Sequence, residues 1–214
     1  MSSFTNQVIF LGDSIMLGNH VSAGQDLPSK VASLLPDIAA NKQNLAIGST
    51  YANEDGTHTD GGQGVTADGA WIDSVQVNVC VILFGANDIA AGFSGTTYVA
   101  ALKTYCQSRK AAMVAPQKRI VICTTLPGIP ITDNGFESQR LIGNLGMLAD
   151  GSFWDGYANL AADPVMGLQA TNSDPTYYSD GVHPTNAGND LLAPWISRAV
   201  EVLITPASIG YRSL

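Results

Sequence analysis

Short apolar runs alternate with longer amphipathic stretches along the 214 residues of the chain. The runs are Val8-Ile9-Phe10-Leu11, Leu45-Ala46-Ile47, Val77 to Phe84 and Ile120 to Cys123, and the last two are dense in β-branched residues. Brevity together with β-branching predicts strands buried on both faces. A weaker fifth strand is expected around Phe153 and Trp154. Between the runs, apolar residues recur at helical spacing over Pro28 to Leu35, Tyr98 to Val114, Glu137 to Ala149 and Ala187 to Leu203; in the second, Val99, Leu102 and Cys106 share one stripe. Strand and helix thus alternate, and parallel neighbours can be joined only by right-handed crossovers. The pattern therefore predicts an α/β fold, a three-layer α/β/α sandwich around a parallel sheet.

The stretch from Gly48 to Ala70 breaks this rhythm. Glycine, Thr, Asp, Asn and Ser dominate it, which predicts a long loop, and loops of that length in a compact domain tend to carry function. Thr205 to Leu214 reads as a loosely attached tail, leaving residues 1–204 as a single domain. Charge then narrows the partners. Eighteen acidic residues outnumber ten Lys and Arg for a net charge of -8, and the basic residues are scattered. No basic stripe exists to neutralise a run of phosphates, so nucleic acid is not an expected partner. No apolar run approaches the roughly 20 residues of a membrane span. The opening MSSFTNQVIFLGDS has no basic residue and a short apolar run, so it reads as a first strand, not a signal peptide; a cytoplasmic protein or a mature secreted form is expected. Cys80, Cys106 and Cys123 are odd in number and lack metal-ligand spacing, and they read as buried structural thiols.

Candidate chemistry begins with scarcity: His20, His58 and His183 are the only histidines. His58 lies in the glycine-rich loop and His20 in the turn after the first strand, and both read as surface polar residues. His183 sits in Tyr177-Tyr178-Ser179-Asp180-Gly181-Val182-His183-Pro184, just before the last helix. Asp180, three residues earlier, can fold back onto one imidazole nitrogen, fixing the tautomer and leaving the other nitrogen to accept a proton. The bland alternative is an aspartate that merely caps a turn. Gly12-Asp13-Ser14 ends the first strand. A strand that stops at glycine and turns into a helix exposes the next side chain at the carboxyl edge of the sheet, where α/β sheets bind ligands, and near a helix N-terminus that favours negative charge. Gly85-Ala86-Asn87-Asp88 follows the strongest strand, and Asn87 offers an uncharged N–H donor for an oxyanion. Asn44-Leu45-Ala46-Ile47-Gly48 ends the second strand, where a backbone N–H could be another donor.

In this order the pieces resemble the SGNH hydrolase superfamily, the GDSL-type esterases and lipases, whose blocks supply Ser, Gly, Asn and His. The likeness runs from Gly12 to Pro184, through Gly12-Asp13-Ser14-Ile15, Gly85-Ala86-Asn87-Asp88 and Asp180-Gly181-Val182-His183-Pro184. It implies a flavodoxin-like sheet of five parallel strands in the order 2-1-3-4-5. It also implies a triad of Ser14, His183 and Asp180, and an oxyanion hole from the N–H of Ser14, the Asn87 side chain and a second-block N–H. No metal or cofactor is implied. For the second-block donor the sequence offers the pair Gly48-Ser49, and Gly48 is preferred for its backbone freedom.

The family's substrates range over short acyl esters, thioesters, lysophospholipids and acetylated sugars. The polar loop and Tyr51, Trp71, Phe93, Trp154, Tyr177 and Tyr178 would suit a shallow, wet site that stacks on a sugar, although aromatic residues more often belong to the core. The leading expectation is an esterase for short acyl groups, acetyl groups on carbohydrates included. The alternatives are a lysophospholipase or thioesterase using the same triad, and an inactive carbohydrate-binding module of the same fold.

Overall fold

The computed structural model describes residues 6–114, 117–128 and 135–205. The expected tail, Thr205 apart, lies outside them. Five parallel strands form one sheet: β1 (Gln7–Gly12), β2 (Lys42–Asn44), β3 (Val77–Leu83), β4 (Gln117–Cys123) and β5 (Gly156–Ala158), in the order β2-β1-β3-β4-β5. The helices are α1 (Ser14–Leu17), α2 (Leu27–Leu34), α3 (Gln63–Asp68), α4 (Ala86–Ala90), α5 (Gly95–Ala112), α6 (Phe136–Ala149) and α7 (Asn186–Ile204).

Successive side chains of a strand point to opposite faces, and here both faces are covered. Val8, Phe10, Val79, Val81 and Leu83 pack with Leu27 and Val31 of α2 and Leu192, Ile196 and Val200 of α7. Ile9, Leu11, Cys80, Ile82, Ile120 and Ile122 pack on the other face with Tyr98, Leu102 and Cys106 of α5 and Met147 of α6. The three layers expected from the alternation are present. All three cysteines are free and buried in this core, and burial pushes the thiols of Cys80 and Cys123 far up. Among the described residues, no helix is long and apolar enough to cross a membrane.

The central strands lie where the apolar runs put them, and the edge strands do not. β2 is the polar stretch Lys42–Asn44, not Leu45-Ala46-Ile47, and β5 is Gly156–Ala158, beyond Phe153 and Trp154. An edge strand has a neighbour on one side only and needs less apolar surface, so hydrophobicity marks it poorly. The chain from Leu45 to Ile47 continues alongside β1 in extended form, with Leu45 N–H donating to Phe10 O at 3.0 Å and Ile47 N–H to Gly12 O at 3.1 Å. Helix α5 begins earlier than its apolar stripe because Ser94 caps it, its hydroxyl accepting the N–H of Thr97.

The long polar segment is also more structured than expected. It contains α3, and Gln63, fully buried, ties it to the end of β1: its Oε1 accepts the N–H of Gly12 at 2.7 Å and its Nε2 donates to Gly12 O at 3.1 Å. Asp60, also buried, accepts the N–H groups of Gly62 and Gly64 and the hydroxyl of Tyr105. A buried amide or carboxylate without partners would be costly, so these bonds fix the loop in one arrangement.

Candidate active site

The site lies at the carboxyl edge of the sheet, where β1, β2 and β3 release their chains side by side. Gly12 and Leu83 are register partners, so the residues that follow them leave neighbouring strands at one level. Gly12 itself has no room for a side chain: a Cβ there would lie 2.3 Å from Leu83 O. After it the chain turns at once into α1, with Asp13 as the N-cap accepting the N–H of Ile15 at 2.9 Å. Ser14 opens this helix, so its own N–H has no intrahelical acceptor. The helix has only four residues. Its macrodipole is therefore small, and what it offers negative charge is the unpaired N–H more than a helix field.

His183 reaches Ser14 from the loop before α7, with Nε2 2.7 Å from Ser14 Oγ. The loop holds the imidazole from several sides. Asp180 Oδ1 accepts the N–H groups of Val182 at 3.0 Å and His183 at 2.9 Å, and Asp180 Oδ2 lies 2.7 Å from His183 Nδ1. Gly181 takes a left-handed φ of 82°, which the tight turn requires. Behind the turn, Ser179 N–H donates to His183 O, Tyr178 bridges to Pro184, and the Tyr178 hydroxyl is anchored on Met166 O. An ionised carboxylate can only accept, so Nδ1 carries the proton and Nε2 is left to accept from the Ser14 hydroxyl. Partial burial raises the pKa of Asp180, but the bonds from the His183 backbone and ring and from Val182 N–H outweigh it and hold the carboxyl at about 2.

Asn87 stands in the first turn of α4, at the end of β3. Its Nδ2 donates one hydrogen to Thr50 O at 2.9 Å, which orients the amide and leaves the second hydrogen for another acceptor. Gly48 is beside Ser14, since a Cβ built on it would lie 3.7 Å from Ser14 Cβ. The reason for preferring it over Ser49 does not survive, however. The left-handed residue of the pair is Ser49, at φ 61°, and a side chain at Gly48 would meet only ordinary contacts. Neither N–H has an acceptor among the described residues, so both are available as donors.

Several neighbours escaped the sequence. Burial raises the carboxyl of Asp13 to about 7, against the lowering effect of the Ile15 N–H and with a further push from the charge of Asp88. Asp88 is itself fully buried and pushed up by burial; it accepts the N–H groups of Ala52 and Asn53, clamping the polar loop beside Asn87. His20 is not an isolated surface residue: its Nε2 lies 3.6 Å from Asp180 Oδ2 and its ring centre 5.0 Å from that of His183. His58, too, is paired with an acid: its ring Nδ1 lies 3.0 Å from Asp55 Oδ2. The repeated Asp-Gly-x-His spacing was a visible signal for this pair, whereas nothing in the sequence marks His20. Of the aromatic candidates, Trp71 and Tyr178 are core, and Tyr51 and Phe93 flank His58 edge-on.

Comparison with known proteins bears on the family and the fold. Residues 10–191 match the GDSL-like lipase/acylhydrolase family. Among solved structures, the chain is similar to a member of the lipolytic G-D-S-L family from Veillonella parvula, at 15% identity and a TM-score of 0.68, covering 91% of this chain and 97% of that one. It is likewise similar to the aryl esterase of M. smegmatis, at 15% identity and a TM-score of 0.66, covering 94% and 100%. A GDSL-like lipase from Bacteroides thetaiotaomicron aligns at 17% identity and a TM-score of 0.63, over 94% and 90%. At such identities the likeness is one of fold. No sequence among the curated proteins matches the chain.

Proposed function

The chain belongs to the GDSL-like lipase/acylhydrolase family, and from that premise we propose that it is a serine esterase acting on short-chain acyl esters, acetyl esters of carbohydrates foremost. The observation that carries this reading is the unbroken row from Ser14 Oγ through both nitrogens of His183 to Asp180 Oδ2, with 2.7 Å at each step. In this reading His183 Nε2 takes the hydroxyl proton as Ser14 Oγ forms a bond to the acyl carbon. The negative charge on the carbonyl oxygen is met by the N–H of Ser14, the second hydrogen of Asn87 Nδ2 and the N–H of Gly48. Asp180 stabilises the imidazolium by accepting from Nδ1. Collapse expels the alcohol, which takes the proton from Nε2. Water then attacks the acyl-serine with His183 again as base, releasing the acid and restoring the serine.

The preference for short acyl groups draws on the surroundings of Ser14. Leu17 and Ile47 are partly exposed beside Gly48 and offer a small apolar surface. The loop beyond them is polar and held by Asp60, Gln63 and Asp88, and a wet, shallow approach of this kind suits a sugar-linked acetyl group better than a long chain.

The test is hydrolysis of p-nitrophenyl acetate, with a series running to the palmitate. The wild-type chain is expected to hydrolyse the acetate, with rates falling as the acyl chain lengthens, and Ser14→Ala is expected to abolish turnover and labelling by a fluorophosphonate. Full activity in Ser14→Ala would overturn the assignment, and a rising rate towards palmitate would replace the short-chain preference with a lipase reading.

A further inference from the structure

His20 is an ionisable side chain beside the reacting groups that the proposed reaction leaves unused. Its Nε2 and His183 Nδ1 approach the same oxygen, Asp180 Oδ2, at 3.6 and 2.7 Å. Ligating atoms of the three residues all lie within 4.8 Å of one another, and among the described residues no other group of three His, Cys, Asp or Glu side chains does so. Two imidazoles and a carboxylate form a donor set for zinc and its transition-metal neighbours, with bonds of about 2.0–2.2 Å; magnesium and calcium prefer oxygen donors. Bonds of that length in a tetrahedron place donors roughly 3.4 Å apart, a spacing that the two observed distances bracket. A shared metal must therefore part His183 Nδ1 from Asp180 Oδ2 by roughly 0.7 Å, while His20, whose side chain is 52% exposed, has only to close in slightly. Its backbone lies at a left-handed φ of 66°, and its ring centre stands 5.0 Å from that of His183.

We propose that His20, Asp180 and His183 form a binding site for a divalent transition cation of the zinc type, and that its occupation switches the hydrolase off. The switch rests on His183 being the base, as proposed above; the binding does not. Coordination needs the lone pair of His183 Nδ1, so the proton on that nitrogen moves to Nε2 and no net proton is lost from the ring. Nε2 then donates to Ser14 Oγ where before it accepted, and it has no lone pair with which to take the serine proton. The metal also claims Asp180 Oδ2, the oxygen that fixes the active tautomer. Removing the metal reverses each change. The Asp55–His58 pair is an internal control, because its imidazole is flanked by Tyr51 and Phe93 and has no third ligand among the described residues.

The experiment is calorimetric titration of zinc chloride into the full chain carrying Ser14→Ala, which needs no activity. One zinc per chain is expected. Adding His20→Asn, a residue that tolerates the left-handed backbone, is expected to weaken binding at least about tenfold, since disturbing even an outer partner of a metal site can cost that much. In the otherwise wild-type chain, zinc is expected to suppress ester hydrolysis and EDTA to restore it, while magnesium has no effect. His20→Asn alone is expected to hydrolyse the ester at close to the wild-type rate and to resist zinc up to about tenfold higher concentrations. No zinc bound to Ser14→Ala, or equal affinity with and without His20, overturns the site. Zinc bound through His20 by a chain that hydrolyses no ester leaves the site standing and overturns the proposed function instead.

Discussion

Residues 55–58 and 180–183 are two copies of one device, Asp-Gly-x-His. In the first, Asp55 Oδ1 accepts the N–H groups of Thr57 at 3.0 Å and His58 at 2.8 Å; in the second, Asp180 Oδ1 accepts those of Val182 at 3.0 Å and His183 at 2.9 Å. The glycines sit at φ 89° and 82°. Both carboxyls are held at about 2: Asp55 chiefly by the His58 backbone N–H and then its ring, Asp180 by bonds that outweigh its partial burial. The difference lies outside the turns. His183 presents Nε2 to Ser14 Oγ, whereas the ring of His58 is closed in by Tyr51 at 4.6 Å and Phe93 at 5.0 Å between ring centres. An oriented imidazole is thus a local product of four residues, and what it can do is set by the strand end it faces.

The strongest way to break this comparison is to remove each imidazole. His183→Ala is expected to lower kcat for p-nitrophenyl acetate by about 10⁴-fold or more, the scale on which triad members act. His58→Ala is expected to leave kcat within about twofold and to lower the Tm by about 2–4 °C, through loss of roughly 1 kcal/mol of aromatic contact. A large fall in kcat for His58→Ala would mean that the two turns share the chemistry.

The aspartates sharpen the same contrast. Asp180→Asn keeps the size of the side chain but removes the acceptor that fixes the tautomer, and a drop of about 10³–10⁴-fold in kcat is expected; Asp55→Asn is expected to leave kcat unchanged. Their effect on stability should be alike. Each carboxyl lies below its ordinary value of 3.8 in the folded chain, so each contributes stability that is present above about pH 4 and lost as the pH falls through about 2. Acid unfolding curves are therefore expected to shift the same way in both variants, and kinetics alone should separate them.

How much of this was legible beforehand follows from the kind of signal each part leaves. β3, β1 and the Ile120–Cys123 half of β4 were readable because strand segments covered on both faces are mostly apolar, whereas Gln117, Lys118 and Arg119, only part-buried, gave β4 no such signal at its start. β2 and β5 were misplaced because an edge needs so little apolar surface that Lys42-Gln43-Asn44 can serve. Ser14, Asn87, Asp180 and His183 were readable because each is a polar residue in a short motif directly after a strand or before a helix. Gln63, Asp60 and Asp88 were not, since each has a partner far away in sequence, the Gly12 backbone, the Tyr105 hydroxyl and the Ala52 and Asn53 N–H groups respectively, and an Asp or Gln in a polar stretch looks the same whether buried or solvated. His20 was invisible for the same reason: only the tertiary fold brings it to Asp180.

The finest test exchanges the two glycines for alanine. Each sits at a left-handed φ, so each substitution introduces the same backbone strain, about 1 kcal/mol, and the same expected fall of about 2–4 °C in Tm. At Gly56 an added Cβ has nothing within 4 Å, so strain is the whole effect and kcat should not move. At Gly181 the strain falls between the carboxylate and the imidazole that it orients. Relief by a small rotation of the turn lengthens the 2.7 Å contact of His183 Nε2 with Ser14 Oγ, and a misplacement approaching 1 Å can lower a rate by about 10²-fold. Equal losses of Tm with unequal losses of kcat would show that the turn's geometry is generic and its placement specific. Equal losses of kcat would show instead that the histidine finds its position without help from the turn.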